Sequence, residues 1–344
     1  MAIVNKPSDH FNTVLYTGNG GTQSISGLGF APDFIWIKKR NATAYHYLMD
    51  SIRGTGKQLY SNVTNAEETN VNALTSYDSD GFSLGAETDV NASSTTYASW
   101  NWKAGGTAVS NTAGSITSSV SANTTAGFSI VSYTGNGSAS ATIGHGLGTS
   151  NVGMIITKNR DQPDGWIVYH KSLGANNYLV LQTTDPSGGS ANKYLSVPTP
   201  TTYEIGNSGD MNTNTEAYIA YCFADVKGYS KMGKYIGNGS TNGTFVYTGF
   251  KPAWLMVKRT DTGDGWTIVD NKRNTYNLVT QRLKAEASDA ESALDLIDFT
   301  SNGFKNRNNY VSWNASGGTY IYMAFAEQPF VTSTANGSIP ATAR

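Results

Sequence analysis

The sequence predicts an all-β protein built from three tandem copies of one sandwich-like unit, and three observations indicate this. The first is composition: only 14% of the 344 residues are charged, whereas 37 are glycine and 20 are tyrosine. Low charge with many turn formers and aromatic residues is typical of short strands joined by tight turns. The second is a marker sequence that occurs three times, and the third is an alternating apolar strand that closes each copy.

The marker is a tyrosine followed one residue later by Gly-Asn-Gly. It begins at Tyr16, at Tyr133 and at Tyr235. A strand running into Asn-Gly is typical of a hairpin, because both central residues of that turn need positive φ. Repetition at such long intervals predicts three units that each bury their own core, arranged as beads and not as a solenoid.

Each copy continues with an apolar run that stops at a lysine, namely Lys38, Lys158 or Lys258. A run of this length, bounded by turn signals, predicts a strand buried on both faces. We expect the basic cluster at residues 38–40 to be solvated charge at the end of that strand. In copies two and three an Asp-Gly turn then leads into the next strand, which predicts a hairpin.

Each copy closes with a strand of alternating character, at residues 97–105, 218–226 and 320–328. Because strand side chains alternate between faces, every second one lies on a single face. The side chains of that face align as Ala98, Trp100 and Trp102 with Ile219, Tyr221 and Phe223, and with Ile321, Met323 and Phe325. An aromatic stripe of this kind is usually a core face, and a ligand-binding surface is the alternative.

The repeats divide the chain into six parts. These are an arm at 1–10, copy one at 11–105, a Gly/Ser/Thr-rich linker at 106–127, copy two at 128–228, copy three at 229–330, and a second arm at 331–344. The turn pattern of each copy predicts a jelly-roll or lectin-like β-sandwich. A minor helical element is expected over residues 282–297, where Ala, Glu and Leu are frequent.

Composition argues against several classes of function. The net charge is −1 and no basic face is evident, so nucleic acid is not an expected partner. No apolar window is long enough to predict membrane insertion. The single cysteine, Cys222, lies in an apolar run and is expected to be a buried structural thiol. The four histidines form none of the zinc-binding spacings, so no metal, no cofactor and no enzymatic activity are predicted.

The candidate binding residues lie in the Asp-Gly turns of copies two and three. They are two aspartates and a tryptophan in each copy: Asp161, Asp164 and Trp166, and Asp261, Asp264 and Trp266. Aspartate in such turns usually hydrogen-bonds the backbone, so a structural role is the first interpretation. The alternatives are a glycan-binding shelf of tryptophan and aspartate, and hydrolysis of a polysaccharide by paired carboxylates.

Several long strings in the chain also carry a family resemblance. They include GFAPDFIWIKKRN, YHYLMDSIRGTGKQLYSN, YASWNWKAGG, NRDQPDGWIVYHKSLG and YIYMAFAEQPFV. These strings resemble the repeat-bearing structural proteins of short-tailed bacteriophages that infect marine bacteria, over about residues 11–330. The resemblance implies a virion or tail-associated location. It implies no catalytic residues. The lack of a disulfide framework fits assembly in the reducing host cytoplasm, and release by lysis is then expected.

The expected function is therefore that of a virion structural protein, foremost a tail fibre or tail-associated protein. We expect it to bind other virion proteins and to form a homo-oligomer, with a trimer favoured and the two arms as interlocking segments. Recognition of host-surface glycans is a second hypothesis. A capsid decoration or head-fibre protein is a third, and a polysaccharide depolymerase is a fourth.

Overall fold

The computed structural model describes residues 3–149 and 151–330 as an all-β protein. Copy one contains β1 (Phe11–Thr17), β2 (Gln23–Ser26), β3 (Phe34–Lys39), β4 (His46–Asp50), β5 (Lys57–Tyr60), β6 (Glu68–Thr69), β7 (Leu74–Asp78), β8 (Gly81–Leu84) and β9 (Thr96–Trp102). It is followed by β10 (Val109–Asn111) and β11 (Ser118–Asn123). Copy two contains β12 (Phe128–Thr134), β13 (Ala141–Gly144), β14 (Val152–Asn159), β15 (Ile167–His170), β16 (Asn177–Val180), β17 (Gly188–Gly189), β18 (Thr202–Ile205) and β19 (Ala217–Ala224).

Copy three contains β20 (Ser230–Ile236), β21 (Phe245–Tyr247), β22 (Phe250–Arg259), β23 (Trp266–Asp270), β24 (Val279–Lys284), β25 (Ser292–Thr300), β26 (Gly303–Asn306) and β27 (Thr319–Pro329). A one-turn α-helix precedes the last strand of each copy. These helices are α1 (Thr88–Asn91), α2 (Gly209–Asn212) and α3 (Val311–Asn314), and a 3₁₀ helix covers Pro7–Asp9.

The main sheets of the three copies have the same strand order. In each, the first strand pairs with the last, the last with the third, and the third with the fourth and then the fifth: β1-β9-β3-β4-β5, β12-β19-β14-β15-β16 and β20-β27-β22-β23-β24. The register agrees as well, since Trp36 faces Trp100, Ile156 faces Tyr221, and Met256 faces Met323. The hairpins predicted at the Asp-Gly turns are confirmed by the β14–β15 and β22–β23 pairs.

The strands that end in lysine are buried on both faces, as predicted. All residues of β3 and β14 are buried, and so are all but the last of β22. The expectation that residues 38–40 are solvated is wrong, because Lys38 is fully buried and Lys39 nearly so. The strand therefore stays buried up to and including its lysine. The ammonium group needs hydrogen-bond partners in the interior.

One face of each main sheet packs on a smaller layer of its own copy. In copy one the cluster formed by Ile35, Ile37 and Met49 meets Phe82 and Leu84 of the separate sheet β2-β8-β7. In copy two the partner layer is the β13–β18 pair, and in copy three it is formed by β25, β26 and β21. This layering has the β-sandwich character that the sequence predicts.

The other face of each main sheet packs on the other two copies. The largest apolar cluster contains the alternate side chains of the closing strand from all three copies. Within it, aromatic rings from different copies are in contact. The ring centroids lie 4.2 Å apart for Phe34 and Tyr221, 5.7 Å apart for Trp102 and Trp254, and 5.9 Å apart for Phe223 and Phe325. The closing stripe is thus a core face, as predicted. The arrangement as separate beads is wrong, because the three copies share one interior in addition to the clusters of their own.

Two predicted segments have a different structure. The linker at 106–127 contains β10 and β11, which extend the main sheet of copy two beyond β12. The expected helix at 282–297 is absent, and β24 and β25 occupy most of that range. Tertiary pairing overrides helix propensity here, since both strands lie within a continuous sheet.

Residues 3–10, the described part of the first predicted arm, pack against the rest of the protein. Val4 is buried in the shared core, and its N–H donates to the carbonyl of Lys227 at 3.2 Å. The second arm, residues 331–344, lies outside the described residues.

The Gly-Asn-Gly marker does not form a hairpin, because β1 pairs with β9 whereas β2 pairs with β8. At this marker the chain instead crosses from the main sheet to the smaller sheet. A buried asparagine at the end of the one-turn helix holds this crossing segment by hydrogen bonds. Asn91 accepts a hydrogen bond from Asn19 N–H at 3.0 Å and donates to the carbonyl of Gly21 at 2.6 Å. Asn212 and Asn314 do the same in the other copies.

Glycine is required at the start of this marker by a close backbone approach. A Cβ atom added to Gly18 would lie 2.3 Å from the carbonyl oxygen of Ala92, and the equivalent distances at Gly135 and Gly237 are 2.1 and 2.3 Å. The repeated glycine therefore indicates a close backbone contact with the end of the one-turn helix. It does not indicate a strand reversal.

Candidate functional site

The two tryptophans of the predicted glycan shelf are buried between copies. Trp166 is 0% exposed and its Nε1 donates to the carbonyl of Tyr60 in copy one at 2.7 Å. Trp266 is 1% exposed and its Nε1 donates to the carbonyl of Val180 in copy two at 3.1 Å. The prediction that these rings form an exposed platform for sugars is wrong, because each is used to join one copy to the preceding one.

The four aspartates of the predicted site accept hydrogen bonds within their own copies. The donors are Ala217 N–H to Asp161 (2.7 Å), Asn159 Nδ2 to Asp164 (2.8 Å), Thr319 N–H to Asp261 (3.0 Å) and Gly265 N–H to Asp264 (2.8 Å). The hydrogen bond from the Arg259 guanidinium lowers the pKa of the Asp261 carboxyl to about 2. A general acid needs the opposite shift, so this carboxylate has the properties of a structural acceptor.

The structure instead brings together a different set of residues, at the three junctions between copies. Equivalent backbone hydrogen bonds occur at each junction: Glu67 N–H to Arg160 O (2.7 Å), Ser187 N–H to Thr260 O (3.0 Å) and Glu291 N–H to Arg40 O (2.7 Å). These bonds join copy one to copy two, copy two to copy three, and copy three to copy one. The three copies therefore close into a ring around the shared core.

The junction between copies one and two contains a chain of buried charges. Asp50 and Arg53 form a fully buried ion pair, and Arg53 reaches Glu67 at 3.5 Å. Glu67 then binds Arg160 of copy two through two hydrogen bonds of 2.9 and 3.0 Å. The hydroxyl of Tyr221, also from copy two, donates to Asp50 at 2.8 Å. Both copies thus contribute to one hydrogen-bonded network.

The junction between copies three and one repeats this network with different residues. Asp270 and Arg273 form a fully buried pair at 2.6 Å, and Arg273 reaches Glu291 at 3.1 Å. Glu291 in turn binds Arg40 of copy one at 2.8 Å. The indole of Trp100, the counterpart of Tyr221, donates to Asp270 at 3.0 Å.

The junction between copies two and three lacks the acid–arginine network of the other two. His170 and Leu173 stand where the other copies have Asp and Arg, and Ser187 and Thr260 stand where they have Glu and Arg. The buried His170 contacts the carbonyl of Tyr322 through Nε2 at 3.2 Å and accepts a hydrogen bond from Ser172 N–H at 3.2 Å through Nδ1. Burial lowers the pKa of this imidazole to about 3, so it is neutral at pH 7.

A buried lysine stands at the end of the same central strand in every copy. Lys38 donates to the carbonyl of Ser288 in copy three at 3.1 Å, and Lys258 donates to that of Thr184 in copy two at 3.0 Å. Lys158 donates to Gln162 O at 3.0 Å within its own copy. Burial lowers the pKa of each ammonium group to about 8. Two of the three lysines therefore also tie a junction.

Within residues 3–149 and 151–330, no group of three or more His, Cys, Asp or Glu side chains could hold a metal ion. Cys222 is buried, and burial raises the pKa of its thiol to about 12, in agreement with the structural role predicted. A surface depression of about 410 Å³ lies near the junction of copies two and three, where Asp225 is paired with Lys171 and Lys231.

Sequence reasoning missed the junction residues, although a signal for them exists. Copies one and three both have Asp-x-x-Arg after the second strand of the hairpin, at Asp50–Arg53 and Asp270–Arg273. Two such identical pairs in otherwise diverged turns indicate a shared partner. The identity of that partner depends on residues of the neighbouring copy, which the sequence does not place.

Comparison with known proteins gives the chain a family. No helix in the described part of the chain is both long and apolar enough to span a membrane. No curated protein matches the sequence. One family model matches residues 6–329, a range that takes in all three copies and the segment between copies one and two. The protein therefore belongs to the family described as a domain of unknown function, DUF7483.

Proposed function

We propose that the protein is a structural component of a bacteriophage virion, foremost a tail fibre or tail-associated protein. The observation that carries this proposal is the use of its ionisable side chains. At two of the three junctions, acids and arginines from neighbouring copies form continuous networks that are fully buried at the Asp–Arg pair and partly exposed at the outer arginine. These ionisable side chains are thus occupied in holding the ring together, which is the pattern of a scaffold.

The geometry of these charges supports a mechanical role. Removing one member of a buried pair leaves an uncompensated charge, at a cost of about 3–5 kcal/mol. Such networks therefore fix one mutual arrangement of the copies. A component of a particle that survives outside the cell benefits from a body that does not open. The resemblance of the long strings quoted above to phage structural proteins points to the same setting.

The finer architecture is part of the same proposal. We take each copy to be one jelly-roll or lectin-like sandwich, supported by the common strand order and by the apolar cluster between its two layers. Host-glycan binding through Trp166 and Trp266 is not part of the proposal, because both rings are buried.

Purified virions test the proposed location. The protein should be detected by mass spectrometry in gradient-purified particles, and gold-labelled antibody should mark the tail in electron micrographs. A host cytosolic protein of similar abundance serves as the contamination control. Absence of the protein from particles that have lost this control protein would refute the proposal. Tens to hundreds of copies per particle would instead support capsid decoration or a head fibre.

We further propose that the full chain forms a homo-trimer. The three copies already close on one another, so the contacts between chains must come from the outer surfaces of the ring. Native mass spectrometry should give three times the chain mass of 36.7 kDa. A monomer at micromolar concentration would contradict the trimer without contradicting the virion location.

A further inference from the structure

Two buried histidines lie at the two junctions of copy three. His46 of copy one and His170 of copy two are both 0% exposed, and each ring faces backbone carbonyls of copy three. The other two histidines are placed differently. His145 is buried inside copy two, and half-buried His10 bonds the segment that leads into copy two. The junction between copies one and two, which the indole of Trp166 anchors, contains none of the four.

His46 stands where the other two copies have their anchoring tryptophan. In the register of the third and fourth strands, His46 occupies the position of Trp266. Its ring faces the carbonyls of Lys284 and Ala287 in copy three, whereas Trp166 and Trp266 each bind a carbonyl of the preceding copy through an indole N–H. An indole N–H does not titrate, but an imidazole does so near neutral pH. Of the three anchoring rings, only this one can gain a charge.

Hydrogen bonds hold both buried imidazoles in the neutral form. Nδ1 of His46 accepts from the indole N–H of Trp36 at 2.9 Å, and Nδ1 of His170 accepts from the N–H of Ser172 at 3.2 Å. The single ring proton is therefore on Nε2, which in His170 donates to the carbonyl of Tyr322 at 3.2 Å. In His46, Nε2 has no aligned acceptor among the described residues. A second proton on either ring would set two N–H donors against each other, because neither donor can accept.

The charged groups around the two rings also oppose a second proton. His46 lies near Lys38 of its own sheet and near Arg273 of copy three, and both of these are cations. His170 lies beside Lys171, whose ammonium group is paired with a carboxylate. Burial is the largest effect, and it lowers the pKa of both imidazoles well below the ordinary value. Protonation of either ring therefore competes with the closed position of copy three.

We propose that mild acid releases copy three from the other two copies while copies one and two stay joined. Separation of copy three opens both rings to water, where each takes up a proton below about pH 6.5. The closed ring binds neither proton, so a falling pH favours the open form, by up to about tenfold per pH unit for each histidine. This inference does not rest on the proposed virion function, and above about pH 7 the ring stays closed.

Three equivalent backbone amides report on the three junctions in the full chain. Glu67 N–H reports on copies one and two, Ser187 N–H on copies two and three, and Glu291 N–H on copies three and one. Hydrogen exchange measured at pH 7.5, 6.5 and 5.5, corrected for the intrinsic effect of pH, gives a protection factor for each amide. This range lies above the ordinary pKa of carboxyl groups, about 4.

The expected result is a selective loss of protection. Between pH 6.5 and pH 5.5, protection at Ser187 and Glu291 should fall by up to about a hundredfold, because two histidines gain a proton on release. Protection at Glu67 should change by less than about twofold, since no histidine lies at that junction.

A double variant identifies the groups responsible. His46→Gln combined with His170→Gln removes both titrating rings and should abolish the fall at Ser187 and Glu291. His145→Gln is the matched control. The His145 ring is likewise buried and likewise accepts at Nδ1 from a backbone N–H, at 3.1 Å, but it lies inside copy two. The fall should persist in this control.

Three outcomes would overturn the proposal. Equal loss of protection at all three amides would show that acid unfolds the ring as a whole. Constant protection at Ser187 and Glu291 down to pH 5.5 would show that copy three is not released. A fall of the same size in the double variant would assign the effect to other groups. If the double variant does not fold, the comparison of Glu67 with the other two amides in the unmodified chain decides the matter.

Discussion

Individual residues at the junctions act as pairs, and this makes their energetics testable. Asp50 and Arg53 are both 0% exposed, and Asp50 also accepts backbone hydrogen bonds from Ile52 at 3.1 Å and Arg53 at 2.9 Å. The desolvation of each charge is offset chiefly by the other charge, with help from these donors, from the Tyr221 hydroxyl on Asp50 and from Glu67 beside Arg53. The natural comparison is copy two, where His170 and Leu173 occupy the same positions without charge.

We predict that Arg53→Leu lowers the free energy of unfolding by about 3–5 kcal/mol, because it leaves Asp50 buried without its counter-ion. The double variant with Asp50→His and Arg53→Leu reproduces the pair of copy two and should recover most of that loss. Urea unfolding followed by tryptophan fluorescence measures both variants. Equal losses in the single and the double variant would contradict the explanation.

His170 predicts a dependence of stability on acid. Its pKa is about 3 in the folded protein, where burial disfavours the charged form, against about 6.5 in an unfolded chain. The folded state therefore binds fewer protons between these values, and stability present above pH 6.5 is lost as the pH falls towards 3. The slope for one such group approaches about 1.4 kcal/mol per pH unit.

We expect His170→Gln to reduce this slope by about one proton. Unfolding free energies measured from pH 7.5 to pH 4.5 on both proteins give the comparison. The variant is expected to be less stable at pH 7.5, since the hydrogen bond from Ser172 is altered. It should nevertheless lose less stability on acidification, and an unchanged slope would contradict the prediction.

Among the elements, the one-turn helices have a clear task. Each presents a buried asparagine to the Gly-Asn-Gly crossing. In copy three, Asn314 accepts from Asn238 N–H at 3.0 Å and donates to the carbonyls of Ser240 and Asn308, both at 2.8 Å. Four residues of helix have little intrinsic stability, so the contacts of this side chain hold the element in place.

We predict that Asn314→Ala costs about 1–3 kcal/mol, because it leaves backbone groups of the crossing without partners. Asn242→Ala, at an exposed position in the adjoining turn, is the matched control and should change stability by less than about 0.5 kcal/mol. Chemical denaturation of the two variants is the measurement. Similar losses for both would show that the crossing does not depend on this asparagine.

At this scale the sequence predicts a good part of the fold. The closing strands, the strands that end in lysine and the hairpins follow from apolar patterning and Asp-Gly chemistry, which are local signals. The marker at Tyr16 does not reveal its own structure, because its partner, Asn91, lies on a distant helix and Asn-Gly is equally typical of a hairpin. The composition of residues 282–297 favours a helix and cannot show that neighbouring strands pair with this range.

For the molecule as a whole, the shared core is the feature that local patterns could not reveal. A strand that is apolar on both faces could pack on layers of its own copy or on another copy, and its sequence is the same in either case. The same ambiguity explains the candidate site. Trp166 and Trp266 beside turn aspartates suit a sugar-binding surface, but their burial depends on where the preceding copy lies.

We predict that the full chain unfolds in a single cooperative transition. Separating copy one would expose central rings, such as Tyr221, Phe223 and Trp254, together with the buried charges of two junctions, and separating copy two or copy three would expose central rings with the buried charges of one. Scanning calorimetry should give one heat-absorption peak whose calorimetric and van't Hoff enthalpies agree. Three resolved peaks, as expected for independent beads, would contradict the shared core.

The absence of the acid–arginine network from the junction between copies two and three has a consequence for how such a molecule can change over time. In an assembly of three identical subunits, every substitution appears at all three interfaces at once, so an Asp–Arg pair is kept everywhere or lost everywhere. Here one polypeptide encodes each interface separately, and Leu173 could replace an arginine while Arg53 and Arg273 remained. One junction can therefore diverge from the other two. A partner that contacts all three copies would then meet three chemically different junctions.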